Sequence, residues 1–118
     1  MNLNLGMVTI DCAEPRALAE FWTEALSLEI VEDFEGFYLV LRPPGDKQAT
    51  ALALQMVSEL KAGKNRVHLD LATDDRAGEV ARLVALGATQ IDEQSAPGME
   101  WTVLQDPAGN EFCVGAPH

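Results

Sequence analysis

Apolar and polar residues follow two different periods along this chain, and the changes of period predict strands and helices in turn. From Leu18 to Leu26 the apolar side chains recur at the spacing of one helical face. Pro15 stands where a first helical turn tolerates the missing N–H. Strands are predicted for the short apolar runs MVTIDC, LEIVEDF, FYLVLR and TALALQMV. Glu35 and Gly36 lie between two of these runs, which predicts a hairpin.

The second half of the chain follows the same order of elements. A strand, RVHLDLA, precedes a helix that Thr73 or Asp74 can cap and that Gly87 can end in a left-handed conformation. The apolar face of this helix is predicted to consist of Val80, Leu83, Val84 and Leu86. Three further strands follow, ATQID, MEWTVLQ and EFCVG, separated by turns at Ala96–Gly98 and Asp106–Gly109.

The two halves also resemble each other residue by residue. Identical residues recur between Val8–Ile30 and Val67–Ile91 at a spacing that drifts from 59 to 61, and 59 is half of the 118-residue length. Two related modules, about 1–60 and 65–118, therefore fill one domain. We predict an α+β fold in which two βαβββ modules form a curled mixed sheet cup, with the helices on its outer face and a pocket inside.

Composition narrows the classes of partner. The net charge of −11 repels nucleic acid and anionic lipid, so neither nucleic acid nor a membrane is expected as a partner. No apolar run approaches the roughly 18 residues of a membrane helix, and no signal peptide is recognisable, which predicts a cytoplasmic protein. Cys12 and Cys113 fall on separate predicted strands and are expected to be free and buried.

Three stretches resemble the glyoxalase, bleomycin-resistance and extradiol-dioxygenase proteins, the vicinal oxygen chelate superfamily, in its glyoxalase-like domain branch. They are EFWTEALSLEI, VHLDLATDD and above all DPAGNEFCV, and the resemblance covers essentially the whole chain. It implies that the turn at Asp106–Gly109 brings the last strand back to line the cup, and that the protein is a homodimer. Asp106 then accepts local hydrogen bonds, Pro107 fixes φ and Gly109 adopts a conformation that other residues resist.

The resemblance also implies where a divalent metal would bind. Family enzymes take His, Gln or Glu ligands from the first and fourth strands of each module, which here correspond to Met7 (or Thr9), Gln55, His68 and Cys113. Only His68 matches well, Gln55 coordinates weakly, and Cys113 replaces an expected Glu. We therefore expect no cofactor, and a divalent metal bound at His68 is the alternative. A Cys–His zinc site would lack the third ligand that catalytic zinc uses.

His68 is the candidate catalytic residue. It shares strand parity with Asp70, so the two side chains should lie on one face, where a carboxylate fixes the tautomer of an imidazole. This pair suits a general base, and it equally suits a structural hydrogen bond. Cys113 is either a nucleophile with His68 as its base or a buried thiol.

Further residues are candidates for substrate binding. Trp101 can stack on a planar ligand, and Arg42 can bind an anion or only offset the acidic surface. The full substrate-binding prediction comprises Gln55, Trp101, Cys113, Tyr38 and Arg42.

Two functions follow from different classes. One is a lyase, isomerase or dioxygenase that acts on a small metabolite with His68 as its base. The other is a non-catalytic protein that sequesters a small cationic or aromatic compound, such as a drug or antibiotic, as the bleomycin-resistance members do. The incomplete ligand set and the acidic charge favour the second.

Overall fold

The computed structural model describes residues 2–117, and these form eight strands and two helices. They divide into two compact units, one ending at Leu60 and the other beginning at Lys61. Each unit contains a four-stranded mixed sheet and one helix, and neither sheet is closed. The predicted α+β fold of two βαβββ modules is therefore confirmed.

The helices and strands occur in the same order in both units. The first unit contains β1 (Met7–Cys12), α1 (Pro15–Leu26), β2 (Glu29–Phe34), β3 (Tyr38–Arg42) and β4 (Ala51–Met56). The second contains β5 (Leu69–Ala72), α2 (Arg76–Leu86), β6 (Thr89–Ala96), β7 (Met99–Gln105) and β8 (Glu111–Gly115). Within residues 2–117 no helix has the length and apolar run that crossing a membrane requires.

Strand order is the same in the two sheets, β1-β4-β3-β2 and β5-β8-β7-β6. In each, the first strand pairs in parallel with the last, and the remaining pairs are antiparallel. Each sheet also contains one register shift at the same place, between Ile30 and Glu32 in the first and between Gln90 and Asp92 in the second. The internal repeat therefore extends to a β-bulge, a feature that bends a strand locally.

The first unit buries one face of its sheet beneath α1. Pro15 begins the helix as predicted, and Phe21 and Trp22 are almost fully buried. Opposite them lie Leu39, Leu41 and Leu54, each inaccessible to solvent. Burying each such side chain stabilises the fold by about 1.5–3 kcal/mol. The predicted hairpin is confirmed: Glu35 and Gly36 both have positive φ, 52° and 79°, as a type I′ turn requires.

The second unit is organised in the same way around α2. Asp75 caps this helix by accepting a hydrogen bond from the Gly78 N–H at 3.0 Å, so the predicted caps, Thr73 and Asp74, were wrong. Thr73 Oγ1 instead accepts from the Asp75 N–H, which orients the capping residue. Gly87 ends the helix with a φ of 123°.

The apolar face of α2 is narrower than predicted. Val80 and Leu83 are buried, whereas Val84 remains 45% exposed. On the sheet side, Leu104, Phe112 and Val114 are almost inaccessible to solvent.

The turn at Asp106–Gly109 has the predicted chemistry. The buried Asp106 carboxylate accepts hydrogen bonds from the N–H groups of Ala108 at 2.9 Å and Asn110 at 3.0 Å, and Gly109 has a φ of 90°. The Asp106 N–H also donates to the Asn110 carbonyl at 2.8 Å. The turn therefore closes on its own first residue and directs the chain into β8.

We expect Asp106→Ala to lower the free energy of unfolding by about 3 kcal/mol, because two part-buried N–H groups lose a charged acceptor. Asp74→Ala is the matched control, since Asp74 is an exposed aspartate just before α2. Urea unfolding of both variants measures the difference. An Asp106→Ala loss no larger than that of Asp74→Ala would contradict the role of this carboxylate.

Candidate functional site

A hollow of about 610 Å³ lies in the second unit. Successive side chains of a strand point to opposite faces, so the residues that alternate with the buried Phe112 and Val114 face away from α2. The residues that line the hollow include His68, Asp70, Trp101, Val103, Glu111 and Cys113.

Three of these residues bring an imidazole, a carboxylate and a thiol together. His68 precedes β5 by one residue, so the strand begins later than the predicted RVHLDLA run. Its Nδ1 lies 2.9 Å from Asp70 Oδ1. Asp70 pairs directly with Cys113 across the parallel β5–β8 register. One potential ligand atom of each residue lies within 4.8 Å of the other two.

The surroundings of Cys113 favour its protonated thiol. Burial raises the pKa of the Cys113 thiol, and the charge of Asp70 and its hydrogen bond with the thiol raise it further, while Lys64 lowers it. Because a nucleophilic cysteine needs a lowered pKa, these groups favour the buried-thiol interpretation over the nucleophile.

An ion pair holds the segment that leads to His68. Lys61 Nζ lies 3.0 Å from Glu111 Oε2, and the Asn65 N–H donates to the same carboxylate at 3.4 Å. Burial raises the pKa of the Glu111 carboxyl, but the hydrogen bonds from Lys61 and the backbone outweigh it, so the pKa is lowered. The charged Glu111 therefore ties the segment before β5 to the start of β8.

Trp101 lies beside a glycine that leaves it room. It pairs with Gly115 on one side and with Gln94 on the other. A Cβ atom at Gly115 would lie 3.3 Å from the Trp101 Cβ, closer than most such contacts. Glycine at 115 therefore keeps the half-buried indole where it lines the hollow.

Comparison with known proteins identifies the family. A sequence model of the family described as glyoxalase-like domain matches residues 7–115. The chain belongs to this family. No curated protein matches its sequence.

Solved structures share the fold of this glyoxalase-like domain. A glyoxalase/bleomycin resistance protein/dioxygenase family enzyme from Burkholderia phytofirmans PsJN has a TM-score of 0.76 at 19% identity, with 97% of this chain and 98% of that chain covered. The lactoylglutathione lyase from Agrobacterium tumefaciens has a TM-score of 0.69 at 20% identity, covering 96% and 92%. TnmS3, an antibiotic binding protein from Streptomyces sp. CB03234, has a TM-score of 0.69 at 21% identity, covering 100% and 99%. At these identities the likeness establishes the fold and not the activity.

The other predicted binding residues of the glyoxalase-like domain lie in the first unit and do not line this hollow. Tyr38 pairs with Gln55 on the sheet face opposite α1. The Tyr38 hydroxyl lies 3.1 Å from Met7 Sδ and 3.4 Å from Thr9 Oγ1. Arg42 shares the strand parity of Tyr38, and its buried Nε has no hydrogen-bond partner among the described residues. Tyr38 and Gln55 are therefore neighbours, but the second unit's hollow is built without them.

The metal positions expected from the family do not fit a hard divalent cation. Met7 supplies a thioether and Cys113 a thiol, whereas such cations prefer the oxygen and imidazole ligands that only Gln55 and His68 supply. Asp70, in contrast, lies between His68 and Cys113. Strand parity in the sequence indicated that Asp70 lies next to His68. Only the β5–β8 register of the structure shows that Cys113 lies on the other side of Asp70.

Because the charge of Asp70 contributes to the raised pKa of the Cys113 thiol, Asp70→Asn should accelerate alkylation of Cys113 by iodoacetamide at neutral pH. The comparison uses a Cys12→Ser background, in which Cys113 is the single thiol. Glu59→Gln, which removes an exposed charge of the first unit, is the matched control. Mass spectrometry measures the rate of alkylation. Equal rates with and without Asp70→Asn would contradict this effect.

Proposed function

We propose that this glyoxalase-like domain binds a small, planar, cationic organic molecule in the hollow of its second unit and holds it without chemical change. The observation that carries the proposal is the half-buried indole of Trp101 lining a hollow whose rim contains carboxylates. An indole face attracts flat rings and cations.

The size and lining of the hollow suit such a ligand. A volume of about 610 Å³ lies within the range of about 300–1,000 Å³ that is typical of small-molecule sites. Val103 and Met99 add apolar surface next to Trp101, and Gln94 adds an amide that can orient a polar group. An apolar wall with a few polar groups is the common composition of a binding pocket.

The charges around the hollow favour a cation. Three carboxylates (Asp70, Glu100, Glu111) and one basic side chain (Lys64) line the hollow, a surplus of two negative charges within the lining, and Glu111 is also paired with Lys61. Arg76 is shared between Glu100 at 3.1 Å and Glu93 at 3.7 Å. The protein as a whole carries a net charge of −11, so its field adds to this local preference.

Relatives of this fold support binding and catalysis alike. The similar structures include an antibiotic binding protein and a lactoylglutathione lyase. Since one fold hosts many activities, the choice rests on the site. The protonated thiol and the ill-fitting family metal positions favour binding.

A dye titration tests the proposal. Proflavine, a planar aromatic cation, should bind in a 1:1 ratio and quench Trp101 fluorescence, while an acridine carboxylate of similar shape should bind more weakly. Trp101→Ala should lower proflavine affinity about 5- to 30-fold, because the lost stacking and cation–π contact amounts to about 1–2 kcal/mol. Trp22, buried in the first unit, provides an internal reference emission.

Phe37→Ala is the matched control, because Phe37 is an exposed aromatic residue of the first unit. It should leave proflavine affinity unchanged. The proposal is wrong if Phe37→Ala weakens binding as much as Trp101→Ala does, or if the anionic analogue binds as tightly as the cation.

A second candidate function is proton transfer, favoured by the His68–Asp70 contact of 2.9 Å at the hollow. The carboxylate orients the imidazole, and the His68 side chain is 40% exposed, so its ring is within reach of a bound molecule. The corresponding reaction class is proton abstraction beside a carbonyl, which lyases and isomerases use.

If His68 is a general base, incubation with small 2-oxo acids and hydroxyketones in D₂O should incorporate deuterium beside the carbonyl. His68→Gln should abolish the incorporation, and Phe37→Ala should not affect it. Mass spectrometry of the recovered compounds measures the exchange, and incorporation no faster than in buffer alone would exclude this function for those compounds. The homodimer and the cytoplasmic location stay predictions from the sequence.

A further inference from the structure

We propose that His68, Asp70 and Cys113 form a binding site for one borderline-soft divalent cation, with zinc the best match. This inference goes beyond the proposed function and does not depend on an organic ligand. It rests on the convergence of three different donor groups at one place on the open face of the second sheet.

The distances suit a transition-metal ion after small side-chain movements. The three donor atoms lie within 4.8 Å of one another, and His68 Nδ1 already lies 2.9 Å from Asp70 Oδ1. Zinc binds sulfur at about 2.3 Å and nitrogen or oxygen at about 2.0–2.2 Å, which separates tetrahedral donors by roughly 3.4 Å. Rotations of exposed side chains at 68 and 70 can produce that spacing, because neither side chain is packed in the core.

The kinds of donor select the class of ion. A cysteine sulfur disfavours magnesium and calcium, which prefer oxygen ligands, and an imidazole with a thiolate suits zinc or cobalt. Binding releases the Cys113 proton to solvent and forms a sulfur–metal bond, with no change of oxidation state. The nearby Lys64 opposes a cation, and the carboxylate of Asp70 offsets it.

The backbone holds the three donors in place. Asp70 and Cys113 occupy paired positions of hydrogen-bonded strands, and Cys113 is only 7% exposed. The contacts of Glu111 with Lys61 and Asn65 hold the segment before His68. A site supported by such neighbouring contacts is preorganised for its ligand.

Three protein ligands leave one coordination position, which would face the hollow. Three protein ligands plus an exchangeable fourth is the arrangement of catalytic zinc sites. All three come from the second unit, and Asp70 is not at a position that the family resemblance assigns to a metal. The site therefore shares His68 and Cys113 with the four-position set and differs from it in taking Asp70 instead of Met7 and Gln55.

Cobalt titration of untagged, chelator-treated protein tests the proposal. One equivalent of Co²⁺ should produce the intense visible bands of tetrahedral cobalt and a thiolate-to-cobalt charge-transfer band, and one equivalent of Zn²⁺ should remove both. Cys113→Ser should abolish the charge-transfer band. Asp70→Asn and His68→Gln should each weaken Co²⁺ binding by more than about 10-fold.

Cys12→Ser is the matched control, since Cys12 is the buried thiol of the first unit, and it should leave the spectrum unchanged. Asp70→Asn keeps the test valid if Cys113→Ser fails to fold, because Asp70 is exposed. An octahedral spectrum, a charge-transfer band that persists in Cys113→Ser, or an affinity unaffected by Asp70→Asn would each overturn the proposal. The cobalt titration uses no dye, so a failure of the metal proposal can be distinguished from a failure of proflavine binding.

Discussion

The parallel pairing of the first strand with the last strand inside each unit is the constraint on which the rest of the structure depends. A parallel pair needs a long crossover, and here the crossover consists of the helix and two antiparallel strands. In the second unit this pairing places residues that are 43 positions apart in the sequence, Asp70 and Cys113, side by side. The candidate site exists because of that register.

In each unit, one face of the sheet contains the buried apolar residues and the opposite face contains the candidate functional residues. In the second unit, Leu104, Phe112 and Val114 contribute the buried apolar surface, whereas the residues that alternate with them line the hollow. The same alternation in the first unit directs Leu39 and Leu41 into the core and Tyr38 to the open face. A single strand therefore supplies both kinds of residue, and a shift of one residue in register would exchange them.

Features determined by neighbouring residues could be predicted from the sequence. The Glu35–Gly36 hairpin and the Asp106–Gly109 turn depend on local backbone preferences, and both predictions were confirmed. The cap of α2 was misassigned because several consecutive residues can act as caps, and only the backbone decides which one accepts the Gly78 N–H.

Features determined by distant residues were harder to predict. The pairing of His68 with Asp70 followed from strand parity, and the structure places the two in contact. The approach of Cys113 to Asp70 could not be inferred, because strand register between distant segments is not encoded in a local pattern. The β-bulge that occurs in both sheets could not be predicted from the sequence either, because the identical residues of the repeat give no indication of it.

The matching strand orders have a consequence for how each unit tolerates substitution. Because the helix-facing residues carry the stability of each unit, substitutions on the open faces can accumulate without unfolding the protein. The two copies of one frame present different chemistries on these faces, a thioether with a phenol in one and an imidazole with a thiol in the other. A frame that occurs twice thus offers two surfaces whose side chains can change while the buried faces stay the same.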